Sequence, residues 1–114
     1  MVRIDSYRFG EIMADGKTYT SDVIIFPHRV ESDWWRKDGH EVSLDDIRGI
    51  IQEKPEVLVI GTGNEGRVEV LSETKRYLEE QGIEIIAQVT GEACKTYNRL
   101  HSSNKAVAAL HITC

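Results

Sequence analysis

A three-layer α/β domain is the fold this sequence predicts: N-terminal antiparallel strands and hairpins, then a C-terminal βαβαβ part, building one mixed central sheet. Three observations carry that prediction. β-Branched runs broken by two-residue turn signals fill the first forty residues. Near Ser43 the apolar period changes from that of a strand to that of a helix. Wholly apolar stretches at 57–60 and 106–110 have the character of strands buried on both faces of a parallel sheet.

In chain order, Ile12-Met13-Ala14 and Lys17-Thr18-Tyr19 flank Asp15-Gly16, a hairpin signal because both turn positions favour residues that tolerate φ > 0. The run from Asp22 to Phe26 is a strand halted by Pro27, which has no N–H for a ladder. Lys37-Asp38-Gly39-His40 reads as a second turn of the same chemistry. Ser43-Leu44-Asp45-Asp46 resembles a capping box, and Leu44, Ile47 and Ile51 recur at helical spacing. This predicts a helix over 43–53, closed because Lys54 precedes Pro55. A strand at 57–60 follows. Leu71, Thr74 and Leu78 define a helix over 72–81, with Gly82 as its stop. A strand at 83–88 leads to Thr90, an N-cap for a helix over 90–103 carrying Ala93, Tyr97 and Leu100 on one face. The strand at 106–112 closes the pattern. Right-handed crossovers then require parallel pairing among the last three strands. No linker or repeat interrupts 1–114, which therefore reads as one domain.

Composition narrows the function classes. Hydrophobic residues are 40% and charged residues 29% of 114 positions, the balance of an ordinary globular chain. Net charge is −5, and no Lys/Arg run exceeds the pair Arg36-Lys37. Binding a phosphate backbone requires clustered cations that displace counterions, so nucleic acid is not an expected partner. No apolar run is long enough to span a bilayer, and Val2-Arg3-Ile4-Asp5 does not resemble a leader. Two cysteines, Cys94 and Cys114, make no disulfide framework, which points to a reducing cytoplasm.

Gly61-Thr62-Gly63-Asn64-Glu65-Gly66 is literally G-x-G-x-x-G directly after a strand. In dinucleotide folds the third glycine lies inside the opening helix. Here Arg67 to Leu71 intervene before Ser72, and no acidic residue ends the next strand. The glycines are better read as a tight turn where backbones crowd. The carboxyl ends of parallel strands remain the expected place for a ligand. Gly61-Thr62-Gly63 and Gln88-Val89-Thr90-Gly91 stand at two of them, and the second opens a helix with free amides. Arg67 could add a cation for a small anion.

Cys94, Asn98 and His101 share one helical stripe. About 10 Å of helical rise separates Cys94 from His101, too far for direct proton transfer. No catalytic residue is assigned, and the favoured reading of Cys94 is burial. His28, His40, His101 and His111 show no metal-ligand spacing, so neither metal nor cofactor is expected, and His111 reads as a core or edge histidine. In Trp34-Trp35-Arg36, alternation along an extended chain buries one indole and exposes the other. The exposed ring is either a partner anchor with Arg36 stacked nearby or plain packing.

Val23-Ile24-Ile25-Phe26-Pro27, Trp34 to His40, Ile60-Gly61-Thr62-Gly63 and Ala93-Cys94-Lys95-Thr96-Tyr97-Asn98 occur in that order over nearly the whole chain. Together they resemble a widespread archaeal and bacterial domain family of unknown function. That family also includes a mitochondrial complex I assembly factor and a vertebrate adipogenesis-associated protein. The resemblance implies a three-layer fold around a mixed sheet and supplies no catalytic residues. Positions matching its motifs are Trp35, Arg36, His40, Gly61, Thr62, Gly63, Thr90, Cys94, Tyr97 and Asn98. The chain departs from the family pattern between Asn64 and Ser72, where relatives often carry a Leu-Pro-Pro-like helix entry.

The expectation is thus a non-enzymatic binding or protein-assembly module with a small pocket at the carboxyl ends of the parallel strands. The alternative is an enzyme or sensor for a small anionic molecule at the same pocket. Candidate lining residues are Trp35, Arg36, Gly61, Thr62, Gly63, Arg67, Thr90, Gly91, Cys94 and Asn98. Possible partners are a protein or a small anion; the sequence leaves oligomeric state open.

Overall fold

Tight turns set the first third of the chain. In the computed structural model, which describes residues 1–100 and 105–114, β1 (Ile4–Arg8), β2 (Glu11–Ala14) and β3 (Lys17–Tyr19) form an antiparallel sheet in that order. Asp15 and Gly16 both adopt positive φ, 48° and 78°, as their hairpin requires. The Asp5 carboxylate accepts the Gly16 amide at 2.7 Å. A second hairpin joins β4 (Val23–Phe26) to β5 (Arg29–Ser32) through Pro27-His28. The sequence reading stops at Pro27 and misses the return strand, whose charged residues hide its pairing.

The remaining elements are β6 (Glu41–Val42), a 3₁₀ turn (Leu44–Ile47), α1 (Arg48–Gln52), β7 (Val57–Thr62), β8 (Glu69–Val70), α2 (Ser72–Glu80), β9 (Glu84–Gln88), α3 (Thr90–Leu100) and β10 (Ala106–His111). The central sheet runs β5-β4-β10-β7-β9. β7 pairs in parallel with both β10 and β9, and β4 runs antiparallel to β10. The parallel pairing among the last three strands is therefore as predicted, with β7 in the middle.

Alternation divides this sheet between two cores. Val23, Ile25, Val57, Val59, Ala106, Ala108 and Leu110 face the β1–β3 sheet and Ala93, Cys94 and Tyr97 of α3. Ile24, Phe26, Leu58, Ile60, Val107 and Ala109 face Ile47, Ile50, Val68 and Leu78 on the other side. Every residue of β7 and β10 is buried, which explains the wholly apolar runs 57–60 and 106–110. Fully burying a side chain such as Leu58 or Ile60 contributes about 1.5–3 kcal/mol. The result is three layers: α3 with the small sheet, the mixed sheet, and α1, α2 and the β6–β8 pair.

Several elements differ from the sequence reading. The helix expected over 43–53 is split. Its capping box is present, with the Ser43 amide donating to Asp46 Oδ2 at 2.8 Å, but Ile47 leaves helical geometry (φ −125°, ψ 17°) between the 3₁₀ turn and α1. Gly49 and three β-branched isoleucines, Ile47, Ile50 and Ile51, make that segment a weak helix former. Lys37 to His40 is no hairpin: neither Asp38 nor Gly39 takes positive φ, and β6 pairs in parallel with β8. Burial of Trp34 and Arg36 pulls this segment under the sheet instead of back along β5. Gly82 stops α2 as predicted, at φ 76°. The expected end of the third helix at 101–103, including His101, lies outside the described residues.

Candidate functional site

The helices after β7 and β9 lie on opposite faces of the sheet, because Leu78 of α2 and Tyr97 of α3 belong to different cores. The two strand-end loops consequently part at neighbouring strands, the topology that opens a crevice in many α/β proteins. Here Thr90 fills it. Its hydroxyl accepts the Gly63 amide at 2.9 Å and donates to the His111 carbonyl at 2.5 Å, while its own amide donates to the Gly63 carbonyl at 3.0 Å. The Thr62 hydroxyl donates to the Gln88 carbonyl at 3.0 Å, and the Asn64 amide to the Thr113 carbonyl at 2.7 Å. The loops lie side by side as expected, but the Gly63 and Thr90 amides bond within this junction instead of standing free. Thr90 also does not cap its own helix; α3 starts at Thr90 and the hydroxyl crosses to the next strands.

Backbone crowding accounts for two glycines of the G-x-G-x-x-G. A Cβ on Gly61 would stand 2.8 Å from both Leu110 Cδ2 and Thr90 Oγ1. One on Gly63, already at φ 104°, would stand 2.5 Å from the Cys114 carbonyl oxygen. Gly66 sits in a turn closed by its amide on the Gly63 carbonyl, not inside a helix. The motif serves a turn, and its third glycine lies where a dinucleotide fold has none.

The other candidate residues fall in separate places. Gly91, Cys94 and Asn98 line a groove of about 270 Å³ between β1 and α3, with Tyr7 and Lys95. Asn98 ties that groove together, accepting the Ile4 amide at 3.0 Å and donating to the Ile4 carbonyl at 2.7 Å. Burial pushes the Cys94 thiol up to about 12, which leaves no thiolate to act as a nucleophile at neutral pH. Arg67 is exposed and pairs with Glu65. Trp35 is 73% exposed, whereas Trp34 is buried.

Arg36 goes inward, to a cluster the sequence reading does not foresee. Asp22 sits just before β4 and His111 at the end of β10. The Asp22 Oδ2 lies 2.8 Å from His111 Nδ1 and 3.0 Å from Arg36 Nη2, and Oδ1 accepts the Ile112 amide at 2.9 Å. Arg36 Nη2 also stands 3.0 Å from His111 Nδ1, but its two N–H groups are engaged by Asp22 and the Gly39 carbonyl, so the nearer carboxylate assigns the His111 proton to Nδ1. The Arg36 guanidinium also donates to the Gly39 carbonyl at 3.0 Å and stacks 4.5 Å from the Trp34 ring. Its Nε and Nη1 are buried without a hydrogen-bond partner among the described residues. Burial raises the Asp22 carboxyl, but the bonds from His111, Ile112 and Arg36 outweigh it and hold the group below its ordinary 3.8. A histidine in the otherwise apolar 106–112 stretch was the one available signal. Its partner Asp22 lies 89 positions away, beyond any local pattern. The same end of the sheet brings donor atoms of His40, His111 and Cys114 within 4.8 Å of one another, a grouping that linear spacing conceals.

Fold and cluster together define a small mixed-sheet α/β domain whose strand-end crevice is closed by its own loops. A family model described as "Protein of unknown function (DUF498/DUF598)" matches residues 4–112, and the chain belongs to that family. Over 112 residues it is 30% identical to a Homo sapiens protein described as NADH dehydrogenase (ubiquinone) 1 alpha subcomplex assembly factor 3, covering 94% of this chain and 59% of that one. The chain thus spans about three-fifths of that relative's length. Among solved structures, the conserved hypothetical protein PH1505 from Pyrococcus horikoshii OT3 is 29% identical, with a TM-score of 0.85 over 98% of this chain and 99% of that one. A structure described as MT938 is 26% identical, with a TM-score of 0.82 over the full length of both.

Two predictions follow from this geometry. At pH 8 an alkylating reagent is expected to modify Cys114 in the folded protein and Cys94 only after denaturation, read by mass spectrometry; rapid native labelling of Cys94 would contradict its burial. A carboxyl held down by folding stabilises above its unfolded pKa and ceases to as pH falls through the lower folded value. Asp22→Asn should therefore lose about 3 kcal/mol in urea unfolding at neutral pH. The gap to the parent should close as acid takes the pH below 3.8.

Proposed function

We propose that this chain is a non-enzymatic binding module that helps assemble other proteins, and that the carboxyl end of its central sheet is the contact face. One observation carries the reading: Trp35 presents its indole to solvent from a backbone fixed on both sides. On one side the Trp34 amide donates to the Asp22 carbonyl at 2.9 Å and its indole Nε1–H to the Asp46 carbonyl at 2.9 Å. On the other, Arg36 is held in the Asp22 cluster. An aromatic anchor presented on rigid backbone loses little freedom on binding, the property of interface hot spots. The description of the human relative as an assembly factor supports the same reading. A net charge of −5 without a cationic cluster favours a protein partner over nucleic acid. Two free thiols favour a reducing compartment such as the cytoplasm.

A second reading has its own support. The two unpartnered N–H donors of buried Arg36 are what a small anion would satisfy if the Trp34–Gly39 segment opened, which suits a sensor or an enzyme for anionic molecules.

Affinity purification from the native host tests the first reading. The parent should retain a stoichiometric protein that Trp35→Ala loses, with affinity falling about 30-fold for a 2 kcal/mol hot spot. The variant's own unfolding free energy should stay within about 0.5 kcal/mol. Retention of the same protein by Trp35→Ala would remove the contact face. A thermal-shift screen of phosphate, nucleotides and carboxylates tests the second. A ligand at a hundred times its Kd adds about 2.7 kcal/mol, roughly a 10 °C rise for a domain this size. No shift with any of them would dismiss the anion reading.

A further inference from the structure

We propose that His40, His111 and Cys114 form a binding site for a borderline-soft divalent cation of the Zn²⁺ class. Three features carry this. First, one nitrogen of each imidazole and the Cys114 sulfur lie within 4.8 Å of one another. Donors bound to one tetrahedral Zn²⁺ at about 2.0–2.3 Å stand closer still, so closing the set asks for a contraction of roughly 1 Å. The exposed His40 and the half-buried Cys114 are free to make that movement, while His111 is fixed.

Second, His111 is held in the form a metal needs. The Asp22 carboxylate accepts the hydrogen bond of Nδ1–H at 2.8 Å, which leaves the lone pair on Nε2. Among the described residues, Nε2 meets only the Thr113 hydroxyl, at 3.2 Å, a long contact that a cation displaces. A carboxylate behind the far nitrogen of an imidazole is the arrangement that orients histidine ligands and raises their basicity. Arg36 on the same carboxylate, with the Ile112 amide on its other oxygen, fixes the angle at which the ring stands. The rings of His40 and His111 meet edge to face at 82°, with centroids 6.2 Å apart, so neither covers the donor edge of the other.

Third, the donor set itself selects the ion. Two imidazoles and a thiolate suit zinc and exclude the all-oxygen preference of Mg²⁺ and Ca²⁺. Cys114 is free of disulfide and lies beside Gly63, whose missing side chain leaves room for the residue's backbone. Binding releases the thiol proton to solvent as the sulfur–metal bond forms. Three protein donors leave a fourth position for water or for a group brought by a partner.

The test uses the full chain, freed of metal with a chelator and titrated with Zn²⁺ alone. One ion per chain is expected, together with slower alkylation of Cys114. Co²⁺ in place of Zn²⁺ should give a thiolate-to-metal charge-transfer band in the near ultraviolet. That band should vanish in Cys114→Ser, and Zn²⁺ affinity should drop about tenfold or more in His40→Ala and in Cys114→Ser. His28→Ala, which changes an exposed histidine outside the cluster, should bind as the parent does. Neither His40 nor Cys114 is in the core, so both variants should fold, as circular dichroism would verify. Sub-stoichiometric binding, no charge-transfer band, or unchanged affinity in both His40→Ala and Cys114→Ser would each overturn the proposal.

Discussion

The Asp22 carboxylate is the point on which the functional end of the molecule turns. It receives an imidazole from β10, a guanidinium from the segment before β6 and a backbone amide just past β10. Removing charges from water is costly unless each is paired, so this cluster specifies a single arrangement of three chain segments far apart in sequence. Trp34 is laid beneath Arg36 and Trp35 turned outward as a result. His40 and Cys114 come to the same end because the residues around them are pinned. The contact face and the cation site rest on one half-buried carboxylate.

A second constraint is the Thr90 junction. Strand-end crevices in α/β proteins are useful because loops to opposite faces leave backbone amides facing solvent. In this chain one hydroxyl and two glycines let the loops close on each other, and the amides of Gly63 and Thr90 are satisfied internally. Function is thereby displaced sideways, from between the loops to the residues that ring them.

Much of the architecture was legible because it depends on period and local turn chemistry. The wholly apolar strands, the Asp15-Gly16 hairpin and the Gly82 stop all express rules that act within a few residues. The split of the 43–53 helix is weaker in the sequence, since its capping box is real and only Ile47 breaks the turn. Lys37 to His40 does turn, with the Glu41 amide on the Asp38 carbonyl, but its flanks do not pair as a hairpin because Arg36 is drawn to distant partners. The site was less legible for the same reason. Trp34 and Trp35 were legible as two indoles on opposed faces, but Asp22 and Cys114 carry no local mark. Cys94 is the buried thiol that its sequence setting favours, whereas the role of Asn98 as a clamp on Ile4 has no local mark.

The place of β10 in the sheet bears on how the chain reaches this state. β10 is the latest strand in chain order and lies between β4 and β7, so the β4–β5 hairpin has no route into the parallel strands until β10 arrives. Intermediates lacking it would hold two half-sheets, each with an apolar edge open to solvent. Such long-range closure slows folding and exposes sticky surface while it lasts. During synthesis, the nascent chain must keep those edges apart until β10 emerges, and only then does Asp22 meet His111.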